Sequence, residues 1–322
     1  MPYPIDKKFV ITVTTSALFD MKESDDVFRT KGVKEYKRYQ EEHIDDTLDK
    51  GVAFPFIRRF LTLNDAFQEE SPVEVVLFSK NSPNAGLRAL RSIEKYGLNI
   101  TRSLFTSGLP NFQYLPAYNS TLFLSSNPID TKAAIDAGFA AGTVLSKDVI
   151  DDEKDRELRL GFDFDSVVVD DSSETFYKAH QGNMSEYFEH ESTLSSSPLA
   201  EGPLGDLLRK VAFFQKKERK KSQIDTTYEP ILKTSIVTAR NAPAHERVVT
   251  TLKEWDIDVD QVFFLGGIEK ARILDILKPH MFFDDKMLHL EHLVDIPAVH
   301  IPFGIANKQQ DDTKPETQDS RI

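Results

Sequence analysis

Four short apolar runs in the second half of this chain each lead into a polar or charged side chain. Leu160-Gly161-Phe162 runs into Asp163-Phe164-Asp165, Ser235-Ile236-Val237 into Thr238, and Met281-Phe282-Phe283 into Asp284-Asp285. Phe263-Phe264-Leu265 is followed by Gly266-Gly267 and a helical pattern opened by Lys270. β-branched and aromatic runs of this length, alternating with helical stretches, read as buried strands of a parallel sheet in a doubly wound α/β fold. Ligands of open α/β sheets bind beyond the carboxyl ends of the strands. The four polar termini are therefore expected to meet at one point.

The first half repeats this rhythm with different side chains. Ile11–Leu18 lies over Leu160–Val167, Tyr39–His43 over Tyr187–Glu191, Val75–Ser79 over Thr234–Thr238, and Thr121–Ser126 over His280–Asp285, at offsets between about 148 and 159 residues. A period of that size implies two domain-sized copies. In the first copy Thr14 stands for Asp163, Ser16 for Asp165, Asn111 for Lys270, and Ser125 and Ser126 for Asp284 and Asp285. Ser79 keeps the hydroxyl of Thr238. The expectation is a degenerate, catalytically silent domain over 1–150, packed against an active one over 151–307. Its role is structural, or it holds an allosteric nucleotide site. The charged stretch Lys147–Glu157 marks the boundary, and the polar residues 308–322 are expected to be a disordered tail.

Within the second copy, strands are expected at 158–169, 232–238, 261–265, 280–284 and 297–302. The stretch at about 171–228 lacks a strand pattern and would overhang the strand ends as a helical cap. Its basic run, Lys216–Lys221, suits a solvated helix end better than a nucleic-acid site, because the formal net charge is −12. The chain has no cysteine, which excludes disulfides, thiolate chemistry and cysteine-built zinc sites. No apolar run approaches the roughly 20 residues of a membrane span, and the start lacks the apolar core of a secretory signal. A cytoplasmic protein without membrane or nucleic-acid partners is expected, and a homo-oligomer is compatible with the chain.

The polar termini have a chemical logic. Asp163 can attack phosphorus as a carboxylate nucleophile. Asp165, two residues on, projects to the same side of an extended segment and can exchange a proton with the leaving group and then with water. Two further acids after an apolar run, Asp284 and Asp285, call for a cation, and magnesium favours carboxylates, waters and phosphate oxygens. Asp163 and Asp284 would hold it with the backbone carbonyl of Asp165, and Asp285 would bind directly or support the ligands. The Thr238 hydroxyl, the amides of Ala239 and Arg240, and the charges of Arg240 and Lys270 would receive the phosphate. In the cap, Phe176, Tyr177, Lys178, His180 and His190 are candidates for base or ribose contact, or are core and surface residues.

The ordered set Asp163-Phe164-Asp165-Ser166-Val167, Thr238, Lys270 and Asp284-Asp285 resembles the haloacid dehalogenase superfamily. The segments Ala17–Asp20, Gly51–Phe56, Tyr187–Glu191, Pro198–Leu204, Val237–Arg240 and Phe282–Asp285 are similar to the type I cytosolic 5′-nucleotidases, over about residues 8–307. That resemblance implies two tandem Rossmann-like domains with cap insertions. It also implies magnesium-dependent hydrolysis of nucleoside 5′-monophosphates, AMP and deoxynucleotides among them, through an aspartyl-phosphate on Asp163. Alternatives are a nucleotide-binding sensor without turnover, or a phosphatase for another small phosphate ester.

Overall fold

The computed structural model describes residues 3–145 and 151–311. The chain divides between Asp151 and Asp152 into two compact units. In the first, strands β1 (Phe9–Thr14), β2 (Val73–Ser79), β3 (Arg102–Phe105), β4 (Ser120–Ser125) and β5 (Ala141–Val144) pair in parallel in the order β3-β2-β1-β4-β5. In the second, β6 (Leu158–Phe162), β7 (Leu232–Thr238), β8 (Gln261–Phe264), β9 (Met281–Asp284) and β10 (Ala298–His300) pair in parallel in the order β10-β9-β6-β7-β8. Each unit thus places its third, second, first, fourth and fifth strands side by side. Every residue of β1 and β2 is buried, as expected of parallel strands covered on both faces.

A second likeness lies just after the first strand of each unit. Phe19 bridges Lys50 in one unit and Val169 bridges Glu201 in the other, both antiparallel. A glycine follows each bridge. A Cβ on Gly51 would lie 2.7 Å from the Phe19 nitrogen, and one on Gly202 would lie 2.2 Å from the Val169 oxygen. Only glycine lets the backbones approach this closely.

Local signals account for many helix ends. In the helix Pro83–Lys95 the Ser82 hydroxyl accepts from the Ala85 amide, Pro83 occupies the first turn, and Gly97 follows at φ 66°. The strand expected over 158–169 stops at Phe162. Beyond it the Val168 and Val169 amides both donate to the Phe164 carbonyl, and Ser166 sits at φ 61°. Val167, Val168 and Val169 are fully buried, but inside a turn. Periodicity cannot separate such a buried turn from a buried strand.

The stretch 171–228 folds into helices Ser172–Ala179, Met184–Thr193 and Gly205–Ile224. The last of these belongs to the sheet layer rather than to a cap. Gln215 donates to the Leu232 carbonyl, and the fully buried Glu218 accepts from the Ile231 and Leu232 amides at 2.9 and 3.0 Å. The basic run lies on this helix, where Lys216 pairs with Asp256 and Arg219 with Asp258. The expected tail begins inside a helix, Ile305–Asp311, and residues 312–322 lie outside the described residues. Among the described residues no helix is long and apolar enough to cross a membrane.

Candidate active site

Parallel pairing of β6 with β7 and β9 brings three strand ends together. Asp163 follows β6, Thr238 ends β7 and Asp284 ends β9. The helix Lys270–Leu277 opens beside them with its lysine buried. The Lys270 ammonium lies 2.8 Å from Asp163 Oδ1 and 2.6 Å from Asp284 Oδ2. Burial disfavours its charge, but the two carboxylates outweigh that and hold its pKa above the ordinary lysine value.

The carboxylates differ sharply in their surroundings. Asp163 Oδ1 also accepts from the Phe164 amide at 2.7 Å. Both bonds fall on Oδ1, so Oδ2 is the oxygen available for chemistry. Burial pushes Asp163 above the usual carboxylate range; Lys270 works against this and Asp284 adds to it. Asp284 is fully buried and well supplied. Besides Lys270, it accepts from the Lys286 amide at 2.8 Å and from His289 Nδ1 at 3.0 Å. Burial opposes its charge, yet Lys270 and His289 hold it below the usual range.

Asp285 is the opposite case. Both of its carboxylate oxygens are buried without a hydrogen-bond partner. Burial, with Asp163 and Asp284 nearby, pushes its pKa far up. Buried carboxylates left in this state are costly unless a cation joins them. Asp163, Asp284 and His289 place one ligand atom each within 4.8 Å of one another. Of that group, Asp284 and His289 already bond each other, so the donors with spare capacity are Asp163 and Asp285. An all-oxygen set of this kind suits a hard divalent cation.

Arg240 takes a different place from the one its position after Thr238 suggests. A guanidinium has five N–H donors. Here Nε and Nη2 grip Asp165 at 2.8 and 2.6 Å, Nη2 also donates to Ser173 Oγ at 2.7 Å, and Nη1 donates to Glu191 and to the Ala244 carbonyl. All five are used inside the protein, and the Arg240 amide donates to Thr238 Oγ1 at 3.2 Å. In this arrangement the Arg240 side chain organises Asp165. Burial opposes the charge of Asp165, but Arg240 holds it below the ordinary carboxylate range. Ala239 is exposed directly after β7.

Glu191, Ser173, Lys286 and His289 escaped the sequence reading. Glu191 is fully buried and joins Arg240 to Arg247. Its polar neighbours Glu189 and His190 give no sign that it points inward. Lys286 pairs with Glu174 at 3.2 Å, and although burial opposes its charge, Glu174 and Asp285 hold its pKa up.

The aromatic candidates are engaged with neighbouring rings. Phe176 is stacked on both faces, by His180 at 3.9 Å and by His190 at 3.7 Å, so no face is left for a base. These three line a groove of about 350 Å³ with Glu186, Glu189 and Thr193, which contains none of the site carboxylates. Tyr177 meets Tyr187 edge-on, and Lys178 pairs with Glu174.

Fold and site together define a class: a parallel α/β protein with a buried lysine-bridged carboxylate cluster at its strand ends. The family model described as 5′-nucleotidase matches residues 1–308. Human cytosolic 5′-nucleotidase 1B is 34% identical over 300 residues, covering 90% of this chain and 48% of that protein. The chain thus spans about half the length of this curated relative. No solved structure matches it. The chain belongs to the 5′-nucleotidase family.

Proposed function

We propose that this protein hydrolyses nucleoside 5′-monophosphates to nucleoside and phosphate, with Asp163 as the covalent nucleophile. The observation that carries this reading is the buried ammonium of Lys270 bridging Asp163 and Asp284 at three converging strand ends. A phosphate entering there meets the fixed positive charge of Lys270, the Thr238 hydroxyl and the exposed Ala239 backbone. Asp163 Oδ2 attacks phosphorus, the bond to the nucleoside oxygen breaks, and a phosphoryl group rests on Asp163. Water then attacks that phosphorus and frees the carboxylate.

Family membership and the unpartnered Asp285 support a divalent cation, which we assign as magnesium. Asp163 and Asp285 would bind it with the Asp165 carbonyl, and Asp284 would be held in place by Lys270 and His289. When bound, the cation neutralises phosphate charge and orients the oxygens. Magnesium should raise the melting temperature of the whole chain and a chelator should reverse the rise. Asp285→Asn should remove most of that response; a full response in the variant would exclude Asp285 as a ligand.

Asp165 is the proton carrier. Gripped by Arg240 it is ionised, the form needed to take a proton from the attacking water. To give a proton to the departing nucleoside it must be protonated, so the Arg240 grip has to loosen in that step. Asp165→Asn should lower kcat by roughly 10²–10⁴-fold, the usual size of general acid–base help. A phosphate-release assay that finds kcat within a factor of two of wild type would remove Asp165 from the mechanism.

The first unit, with Thr14, Ser16, Asn111, Ser125 and Ser126 at the matching positions, supplies no carboxylate nucleophile, and we read it as a degenerate copy. The shared strand order and the paired glycine corners support that reading. A screen of AMP, deoxynucleotides and sugar phosphates, with and without magnesium, tests the substrate class. Preference for a sugar phosphate would assign the site to another small ester, and nucleotide binding without phosphate release would make the chain a sensor.

A further inference from the structure

The first unit has a cavity of about 140 Å³ at the carboxyl ends of β1, β2 and β4, the place where parallel sheets receive ligands. At about 30 Å³ per molecule in the liquid, it has room for roughly five waters rather than one. Its lining is polar, and two of its side chains are unpartnered. Asn111 is fully buried and neither its amide nitrogen nor its amide oxygen has a hydrogen-bond partner. The Thr15 hydroxyl, 5% exposed, has none either. Buried polar groups left like this are costly. Together they offer three donors and several acceptors to whatever enters.

The charges select the ligand. Lys80 lines the cavity, but its ammonium lies 2.6 Å from the Asp130 carboxylate. The remaining ionisable group with charge, Asp25, stands exposed at the rim and is acidic. Thus, among the described residues lining it, no uncompensated cation faces the space. An anion would be repelled, whereas hydroxyls, which both donate and accept, match the Asn111 amide and the Thr15 hydroxyl.

We propose that this cavity binds the pentose ring of a neutral sugar-bearing molecule, a nucleoside or a free pentose, and not a phosphate. The site is separate from the carboxylate cluster, and the assignment does not rest on hydrolysis by the second unit. Loss of phosphate release, or a different substrate there, would leave it standing.

Hydrogen–deuterium exchange of the full chain, resolved by peptide, tests it with adenosine, D-ribose and inorganic phosphate as probes. Adenosine should slow exchange in peptides containing Thr15 and Asn111. D-Ribose should do so as well if the sugar alone suffices, and protection by adenosine without ribose assigns the nucleoside. The concentration giving half-protection should rise at least about tenfold in Thr15→Val and in Asn111→Leu, since each loses hydrogen bonds to the ligand. Thr15→Val nearly preserves shape, so it remains informative if Asn111→Leu does not fold. Protection by phosphate, protection confined to peptides around Asp163 and Thr238, or no protection by any probe would each overturn the proposal. The last outcome would leave the cavity to water.

Discussion

Asp163→Asn should abolish turnover, lowering kcat by at least about 10⁴-fold, in the range seen when a covalent nucleophile is removed. The expectation follows from the position of one oxygen. Asp163 Oδ1 is taken by Lys270 and the Phe164 amide, and Oδ2 is the atom with room to attack. An amide keeps the shape and loses the nucleophile. The variant should fold, because the substitution removes one of three crowded carboxylates while Lys270 keeps Asp284 at 2.6 Å. The measurements are phosphate release and a urea unfolding curve on the same preparation. Folded protein with no turnover is the expected pair of results.

Lys270→Met should harm both activity and stability. The ammonium is the shared partner of two buried carboxylates, and removing one member of a buried ion pair costs about 3–5 kcal/mol. Asp284 retains His289 and the Lys286 amide, whereas Asp163 retains only its own turn amide. The fixed positive charge for the phosphate is lost as well, worth about 10²–10³-fold in kcat by comparison with other electrostatic stabilisers. Urea unfolding reads the first effect. Phosphate release at a denaturant-free, folded temperature reads the second. A stable variant with wild-type kcat would mean that Lys270 is a structural cation alone.

The strand rhythm made the sheet legible, because buried parallel strands are short apolar runs that end in a polar residue. Asp163, Thr238, Lys270, Asp284 and Asp285 were legible for the same reason, each standing at the end of such a run or opening the helix after one. Residues that act through others left no such mark. Glu191 lies within a polar helical segment, and only three-dimensional packing against Arg240 and Arg247 shows it to be fully buried. Arg240 follows Thr238 in sequence and so looks like a phosphate ligand, but Asp165, Ser173 and Glu191 converge on it from distant positions and use its donors. The turn at Val167–Val169 was hidden because burial imposes apolar residues on turns and strands alike.

The buried acids also explain why their spacing is informative. Lys270 faces Asp163 and Asp284, and among the described residues the Asp285 carboxylate has no hydrogen-bond partner. A group of like charges in this state is stable only with a further positive charge, and its energetic cost in the protein alone argues for function rather than for stability.

The most direct test of the account is to mix enzyme, magnesium and AMP, quench in acid within a turnover, and weigh the peptides. The account predicts the added mass of one phosphoryl group on the peptide containing Asp163, and none on the corresponding peptide of Asp163→Asn. Phosphate release without that intermediate, a phosphoryl group on another residue, or full turnover by Asp163→Asn would contradict it.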